Sequence, residues 1–183
     1  MIHFTPFPEL ETERLLIRQM KKEDAADLLV LRSHPDVLQY ISKEPAAGLQ
    51  EVIEFIEKIN ANAVANEAIM WGIALKEKPD TLIGSICLWH IRHDDFRAEL
   101  GYSLVPEWWR KGITKEAVQA VIRYAFTQLQ LHSIDACIDP RNAGSEAVLI
   151  STGFVKEAHF RENFFFRGRF QDTVVYSLLN PAH

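Results

Sequence analysis

The pattern of apolar and polar residues changes abruptly in the middle of the chain. Between residues 97 and 105 the two kinds alternate, which predicts a half-buried strand. Its apolar face consists of Ala98, Leu100, Tyr102 and Leu104, and its other face of Glu99, Gly101 and Ser103. From Ile113 the apolar residues recur at helical spacing, so a helix is predicted to begin just after Gly112. One face of the strand is predicted to be core, and the other is available for function.

The loop between this strand and this helix carries two cations, Arg110 and Lys111, in front of Gly112. A helix N-terminus has unpaired N–H groups and a partial positive charge, so a glycine turn that leads into it can hold an anion such as phosphate. The alternative is that Gly112 only turns the chain and that both cations are solvated. The loop alone leaves both interpretations open.

The remaining periodicities predict the other elements. Strands are expected at residues 14–19, 69–75, 82–91, 134–138, 154–160 and 170–178, and helices at 23–33, 36–40, 49–59 and after Asn142. A helix that connects two strands of one sheet requires those strands to run parallel. The predicted fold class is therefore α/β (α+β), with one mixed, mostly antiparallel twisted sheet of about seven strands and helices on both faces. Its central parallel pair is predicted to splay and hold a ligand.

Some predictions concern individual residues. The first helix is predicted to face the core with Ala26, Leu29 and Val30. Gly153 is typical of a helix end, and Lys78-Pro79-Asp80 is typical of a turn. Cys87 and Cys137 lie in apolar, strand-like surroundings and are predicted to be reduced core residues.

Composition narrows the possible functions. The 183 residues are 48% hydrophobic, enough for a full core, and a single domain over residues 1–183 is expected. A formal net charge of −5 argues against a nucleic-acid partner, because such proteins display an excess of Lys and Arg. There is no signal-peptide pattern and no apolar run of about 20 residues, so a cytoplasmic protein without membrane contact is expected. The seven histidines lack metal-binding spacing, and no metal is predicted.

Short motifs follow one another in a specific order along nearly the whole chain. They are Glu11-Thr12-Glu13-Arg14-Leu15-Leu16-Ile17-Arg18, Ile83-Gly84-Ser85-Ile86, Glu99-Leu100-Gly101-Tyr102, Trp109-Arg110-Lys111-Gly112 with Glu116-Ala117, Asn142-Ala143-Gly144-Ser145, Gly153-Phe154, and Gly168 with Asp172. In this order they resemble the GCN5-related N-acetyltransferase superfamily, and within it the ribosomal-protein alanine N-acetyltransferase (Rim-type) branch. The resemblance implies an acyltransferase that acetylates amines with acetyl-CoA.

The resemblance also assigns residues to acetyl-CoA. The superfamily's pyrophosphate motif matches residues 109–114, with Thr114 in place of the usual small residue. The implied pyrophosphate-binding residues are Arg110, Lys111, Gly112, Ile113 and Thr114. The pantetheine arm would pair with the strand that contains Leu104 and Val105, and Asn142 would hydrogen-bond it.

Acetyl transfer to an amine needs a group that takes a proton from the ammonium form. Glu99 is predicted to be this base, because it lies on the non-core face of its strand and the Rim-type branch has a working acid at the matching position. The structural alternative is an ion pair of Glu99 with Arg97 or Arg92. A main-chain N–H near residues 102–104 is expected to polarise the thioester carbonyl.

The departing thiolate needs a proton donor. Many members of the superfamily use a tyrosine at the position of Leu149, whereas the resemblance to the Rim-type branch implies Ser145. The alternative is that Ser145 caps the helix that begins there. Three other conspicuous residues lie on predicted strands and are expected to be core or cleft wall: Trp71, Trp89 and His90.

The implied acceptor is a primary amine, either a protein N-terminus or a small molecule such as a polyamine, an amino acid or an aminoglycoside. Phe164-Phe165-Phe166 is open to three interpretations: a wall of the acceptor pocket, a contact in a homodimer, or ordinary hairpin packing, which is the commonest role. A competing function is a CoA-binding regulatory or interaction module without turnover. The presence of Glu99, Asn142 and Ser145 favours the enzyme.

Overall fold

The computed structural model describes residues 2–182. Within this range the helices are α1 (Ala25–Ser33), α2 (Pro35–Leu38), α3 (Leu49–Val64), α4 (Ile113–Thr127) and α5 (Ala143–Ser151). The strands are β1 (Leu10–Glu11), β2 (Leu15–Arg18), β3 (Ile69–Leu75), β4 (Lys78–Arg92), β5 (Arg97–Leu104), β6 (Ser133–Ile138), β7 (Val155–Phe166) and β8 (Arg169–Leu179). Short 3-10 turns span Lys22–Asp24 and Pro106–Trp108.

The strands form one sheet in the order β1-β2-β3-β4-β5-β6-β8-β7. Neighbouring strands are antiparallel except β5 and β6, which run parallel because α4 connects them. The predicted fold class is confirmed. The sheet has 8 strands, and β1, a two-residue strand paired with β2, is the one that the sequence did not predict.

Helices cover both faces of the sheet, and each face has its own core. On one face the buried residues of α4 and α5 share one core with the alternating residues of β3, namely Ile69, Trp71, Ile73 and Leu75. On the other face α1, α2 and α3 pack around Met20, Ala74 and Leu82. The alternation in β3 therefore predicted one face correctly, while the opposite face of the same strand is buried as well.

The prediction of which α1 residues face the core is wrong: each buried residue lies next to a predicted one. Ala25, Leu28 and Leu31 are buried, whereas Ala26 is exposed, Leu29 is half-buried and Val30 is 54% exposed. The apolar residues of this helix include an unbroken run at 28–31, so periodicity does not define which of them point inward. The contacts of α1 with α3 and β4 decide it.

The predicted turn at residues 78–80 is also misplaced. The chain turns at residues 76–77, and β4 begins at Lys78, which pairs with Leu75. The register of β3 and β4 shifts next to this turn, as it does at a bulge. Pro79 is tolerated there because it lies near the start of the strand, and its carbonyl accepts a hydrogen bond from Arg18 Nε at 2.9 Å.

The parallel pair separates part-way along its length. Residues 97–99 of β5 pair with residues 133–135 of β6, and no pairing joins the two strands beyond that point. β5 stays paired with β4 as far as Leu104, and β6 with β8 as far as Ile138. Each strand therefore follows its other neighbour, and a gap opens at the centre of the sheet, as predicted.

Main-chain groups of β5 border this gap. The Val105 N–H donates to the Ile83 carbonyl at 2.9 Å, which places the odd-numbered residues of this stretch toward β4. The Leu100 N–H belongs to the last pair of the parallel ladder, Glu99 with Asp135. The Leu100 C=O and both main-chain groups of Tyr102 point toward the gap, where no strand of the sheet pairs with them. They form an edge along which an extended ligand can lie.

Candidate active site

The gap between β5 and β6 opens into a cavity of about 550 Å³. Its walls come from β3 to β6, from residues 40–43 and α3, from the start of α5 and from the β7–β8 hairpin. Three of the predicted site residues lie in these walls: Glu99, Asn142 and Ser145. The fold thus brings together side chains that are far apart in the sequence.

Glu99 is held by a histidine and not by an arginine. Its Oε2 lies 3.0 Å from His90 Nδ1, and its side chain is 18% exposed. The predicted partners, Arg92 and Arg97, bind Asp135 instead, the Arg97 guanidinium at 2.5 Å. The structural alternative, an ion pair of Glu99 with Arg97 or Arg92, is therefore wrong, because the parallel strand supplies another carboxylate to both arginines.

His90 reaches Glu99 because β4 is irregular at this point. The register of β4 and β5 shifts between Trp89 and Arg92, and His90 has a φ of 45°. Bulges of this kind re-aim side chains beside functional sites. The imidazole stacks on Trp89 with 4.1 Å between ring centroids and stays open to solvent. Alternation along the sequence carries no signal for such a bulge, so the contact was not predicted.

Ser145 does not cap α5, so that alternative is wrong. The cap is Asn142, whose Oδ1 accepts a hydrogen bond from the Ser145 N–H at 3.0 Å. The Ser145 hydroxyl lies 2.8 Å from the hydroxyl of Tyr102. Burial raises the pKa of Tyr102 to about 12, so the phenol stays protonated at neutral pH. Leu149, at the position of the superfamily's tyrosine, is fully buried.

Glu99 and Tyr102 lie on opposite faces of β5, because they are three positions apart in one strand. Tyr102 meets Ser145 on the side of α5, and Glu99 meets His90 on the other side. A reactant in the gap would therefore have a carboxylate on one side and a pair of hydroxyl groups on the other. This is the arrangement that proton removal and proton delivery require.

Cys87 and Cys137 line the same cavity. Both are free thiols, but the prediction that they are core residues is wrong: Cys87 is half-buried in the cavity wall, and Cys137 is exposed at the gap. Desolvation raises the pKa of Cys87 to about 11 and that of Cys137 to about 12, where the charge of Glu99 adds to the effect. Both thiols are therefore protonated at neutral pH, and neither is an activated nucleophile.

The predicted phosphate loop lies beyond the end of β5, and its residues are outside the cavity walls. Gly112 has a φ of 75° and leads directly into α4, and Arg110 has a φ of 58°. The first helical hydrogen bond joins the Glu116 N–H to the Gly112 carbonyl at 3.1 Å, so the three amides between them have no partner within the helix. Such amides at the positive end of a helix can hold an anion.

A contact that the sequence did not reveal holds this loop in place. Arg14 donates to Glu116 Oε2 from Nε at 2.7 Å and to the Lys111 carbonyl at 3.0 Å. Burial raises the pKa of Glu116, but hydrogen bonds from Thr12 and Arg14 outweigh it and keep the pKa below its usual value. Arg14 and Glu116 both belong to the motifs quoted above, yet only the fold places them side by side.

Leu104 and Val105 already have partners within the chain. The Leu104 carbonyl accepts a hydrogen bond from Trp109 Nε1 at 2.7 Å, and the Val105 N–H is bound to Ile83. The main-chain groups of this strand that face the gap are the Leu100 C=O, the N–H and C=O of Tyr102, and the Leu104 N–H. Trp109, the first residue of the predicted pyrophosphate motif, therefore fixes the end of β5 through this hydrogen bond.

Residues 2–182 contain neither a metal-binding cluster nor a membrane-spanning helix. No three His, Cys, Asp or Glu side chains in that range are placed to hold one metal ion. None of the helices in the same range combines the length and the apolar character that a membrane crossing needs.

The family follows from a comparison with known proteins. Residues 14–155 match the family model described as acetyltransferase (GNAT) domain, a range that contains the splayed strands, the loop at Gly112 and the start of α5. The chain belongs to the GNAT acetyltransferase family. It is accordingly an N-acetyltransferase, and the predicted family is confirmed.

Relatives of this acetyltransferase cover almost its whole length. The uncharacterized N-acetyltransferase YoaA of Bacillus subtilis (strain 168) is 34% identical over 175 residues, which are 96% of this chain and 98% of the relative. Among solved structures, the ribosomal-protein-S5-alanine acetyltransferase of Vibrio fischeri superposes with a TM-score of 0.84 at 27% identity, over 95% of this chain and 97% of that one. A spermidine N-acetyltransferase of Vibrio cholerae, in complex with CoA and spermine, superposes with a TM-score of 0.81 at 26% identity, over 92% and 97%. The resemblance to ribosomal-protein acetyltransferases is confirmed.

Proposed function

We propose that this acetyltransferase moves the acetyl group of acetyl-CoA directly to a primary amine, with Glu99 as the base and Ser145 as the acid. The observation that carries the proposal is the cavity in the gap, where both side chains lie on opposite sides of one splayed strand. The similar proteins that act on spermidine or on a ribosomal-protein alanine also support an amine acceptor.

The residues around the gap fit acetyl-CoA. Phosphate oxygens need several N–H donors at one point, and the amides of Ile113, Thr114 and Lys115 at the start of α4 supply them just after Arg110 and Lys111 in the chain. An amide-containing arm such as pantetheine can pair with the main-chain edge of β5 that faces the gap. The thioester would then lie in the cavity between Glu99 and Ser145.

The acceptor amine must lose a proton to become a nucleophile. A primary amine with a pKa of about 8 to about 10 is mostly protonated at neutral pH. Glu99 can take this proton directly or through one water molecule, because it lines the cavity and has no arginine or lysine partner among residues 2–182. His90, which contacts Glu99 and is 66% exposed, offers a route for the proton to solvent.

The second proton transfer in the reaction is to the departing thiolate. When the Tyr102 phenol donates its hydrogen bond to Ser145 Oγ, the Ser145 hydroxyl is free to direct its own proton into the cavity. The Tyr102 phenol then stabilises the developing charge on Ser145. Because the two cavity thiols stay protonated, direct attack by the amine is favoured over an acetyl-cysteine intermediate.

The test is release of free thiol from acetyl-CoA with a panel of primary amines, combined with mass spectrometry of the acceptor. Acceptor-dependent thiol release with a gain of one acetyl group is the expected result. Uptake of acetyl-CoA without acceptor-dependent release would contradict the proposal. Acetylation of Cys87 or Cys137 that forms and decays during turnover would contradict direct attack.

A further inference from the structure

We infer that the acceptor is an amine on an apolar or aromatic body that also carries a negatively charged group, and that Lys43 selects it against polyamines. This inference rests on the proposed function and specifies the acceptor for the same cavity. It comes from three properties of the cavity walls: their aromatic side chains, the state of their carboxylates and one unpaired cation.

The first property is an aromatic lining. Tyr40, Phe55, Trp89 and Phe164 all contribute to the walls, and they come from four separate parts of the fold. Aromatic walls bind apolar and aromatic bodies by burying them and by ring contacts. An acceptor that was only a chain of ammonium groups would leave most of this surface without a partner.

The second property is that most of the wall carboxylates are already in use. Asp139 is bound by the Arg141 guanidinium at 2.5 Å, and its side chain is 8% exposed. Asp172 accepts hydrogen bonds from His159 at 2.7 Å and from the Glu162 N–H at 2.9 Å. Among residues 2–182, Glu99 is contacted by the exposed His90 and by the neutral Cys137 thiol, and by no arginine or lysine. One carboxylate is therefore positioned to meet one ammonium group.

The third property is a cation in the same wall. Lys43 lines the cavity, and its Nζ lies 5.6 Å from the centroid of the Trp89 ring. Trp89 is the cross-strand partner of Glu99, so the ammonium of Lys43 lies near the proposed amine site. No carboxylate within residues 2–182 forms an ion pair with Lys43. Its charge is available to the acceptor.

These properties oppose a polyamine and favour an amino-acid-like acceptor. The second and third ammonium groups of spermidine would meet a like charge at Lys43 and no unused carboxylate, which costs binding energy. An acceptor with its amine at Glu99 and an anionic group at Lys43 satisfies both charges, while its side chain fills the aromatic walls. An aromatic α-amino acid is the smallest molecule with all three features.

The experiment measures kcat/KM for L-phenylalanine, L-phenylalaninamide and spermidine at one ionic strength. We expect L-phenylalanine to be used best and spermidine least, with about tenfold between L-phenylalanine and its uncharged amide. Lys43→Glu should reduce kcat/KM for L-phenylalanine by about tenfold or more and raise it for spermidine. The Kd for acetyl-CoA should not change in this variant.

Lys58→Glu is the matched control. Lys58 is exposed on α3 and lies outside the cavity walls, so its substitution changes the net charge by the same amount at a distance from the acceptor. It should leave the order of the three acceptors unchanged. Wild-type protein that uses spermidine as well as L-phenylalanine, or an order that is the same in Lys43→Glu, would overturn the inference. Absence of thiol release with every amine would instead contradict the proposed function.

Discussion

The two ends of the central gap are built in different ways. At the loop end, the proposed anion site consists of main-chain amides of one short segment, which Gly112 and the start of α4 arrange locally. At the cavity end, the chemistry depends on side chains from β4, β5 and α5, which meet only because the sheet is complete. The loop should therefore tolerate changes of side chain but not of backbone conformation. The cavity, in contrast, should be sensitive to changes of its side chains. Substitutions at the two ends should therefore separate binding from turnover.

The largest effect is expected at the cavity end. Glu99→Gln removes the proposed base with little change of shape, so kcat/KM for the amine should fall by about 10²-fold or more, while the Kd for acetyl-CoA stays nearly constant. Steady-state kinetics over a range of pH, together with calorimetry, measures both. Glu107→Gln, on the exposed 3-10 turn before the loop, is the control with the same chemical change. An unchanged rate profile in Glu99→Gln would remove Glu99 as the base.

The next effect concerns proton delivery to the thiolate. Ser145→Ala should lower kcat by about tenfold, and Tyr102→Phe should lower it by a similar or smaller factor, because each removes one hydroxyl of the 2.8 Å pair. If Tyr102 acts through Ser145, the double variant should be little slower than Ser145→Ala alone. Since the pKa of Tyr102 is about 12, the effect of Tyr102→Phe should be constant from about pH 6 to about pH 9. Independent, multiplicative losses would argue for two separate roles.

The loop end should respond to a backbone change. Gly112→Ala places a side chain at a φ of 75°, which costs roughly 1–2 kcal/mol and disturbs the amides of α4, so the Kd for acetyl-CoA should rise by about tenfold. Gly168→Ala is a matched control, because Gly168 has a φ of 79° and open space around its Cα, in the turn of the β7–β8 hairpin. It should cost similar stability without changing the Kd. Normal affinity in Gly112→Ala would refute the assignment of the loop to the pyrophosphate.

The smallest effect is expected from the contact that holds the loop. Glu116→Gln weakens the hydrogen bonds with Arg14 and should raise the KM for acetyl-CoA by roughly twofold to fivefold, with kcat almost unchanged. Because the pKa of Glu116 is lower in the folded than in the unfolded state, its contribution to stability is present above the unfolded-state pKa. That contribution is lost as the pH falls through the folded-state pKa. Wild type and Glu116→Gln should therefore converge in thermal stability on acidification, and a constant difference would contradict the contact's role.

The sequence predicted most of the fold because its elements are strongly periodic. The alternation of β3 and β5 places both strands to within a residue, and the helical spacing from Ile113 gives the start of α4. The face of α1 was not predictable, since residues 28–31 are all apolar and several orientations bury equal amounts of them. The turn before β4 was misplaced because a bulge, which needs a partner strand, shifts the register.

At the candidate site, the sequence identified side chains but not their partners. Glu99, Asn142 and Ser145 were found from their motifs, and all three line one cavity. That His90 binds Glu99 and that Tyr102 meets Ser145 are contacts between residues of different elements, the first beside a bulge. No local pattern encodes them.

The sequence by itself determined the strands, the helices, the glycine turn at Gly112 and the family, because these depend on spacing over a few residues. Only the tertiary structure decided where β5 and β6 part and which side chains then face one another across the gap. The physical reason is that the gap exists because β4 and β8 each hold one strand of the pair by main-chain hydrogen bonds. Those bonds join segments distant in the chain, so the chemistry of the cavity is a property of the assembled sheet.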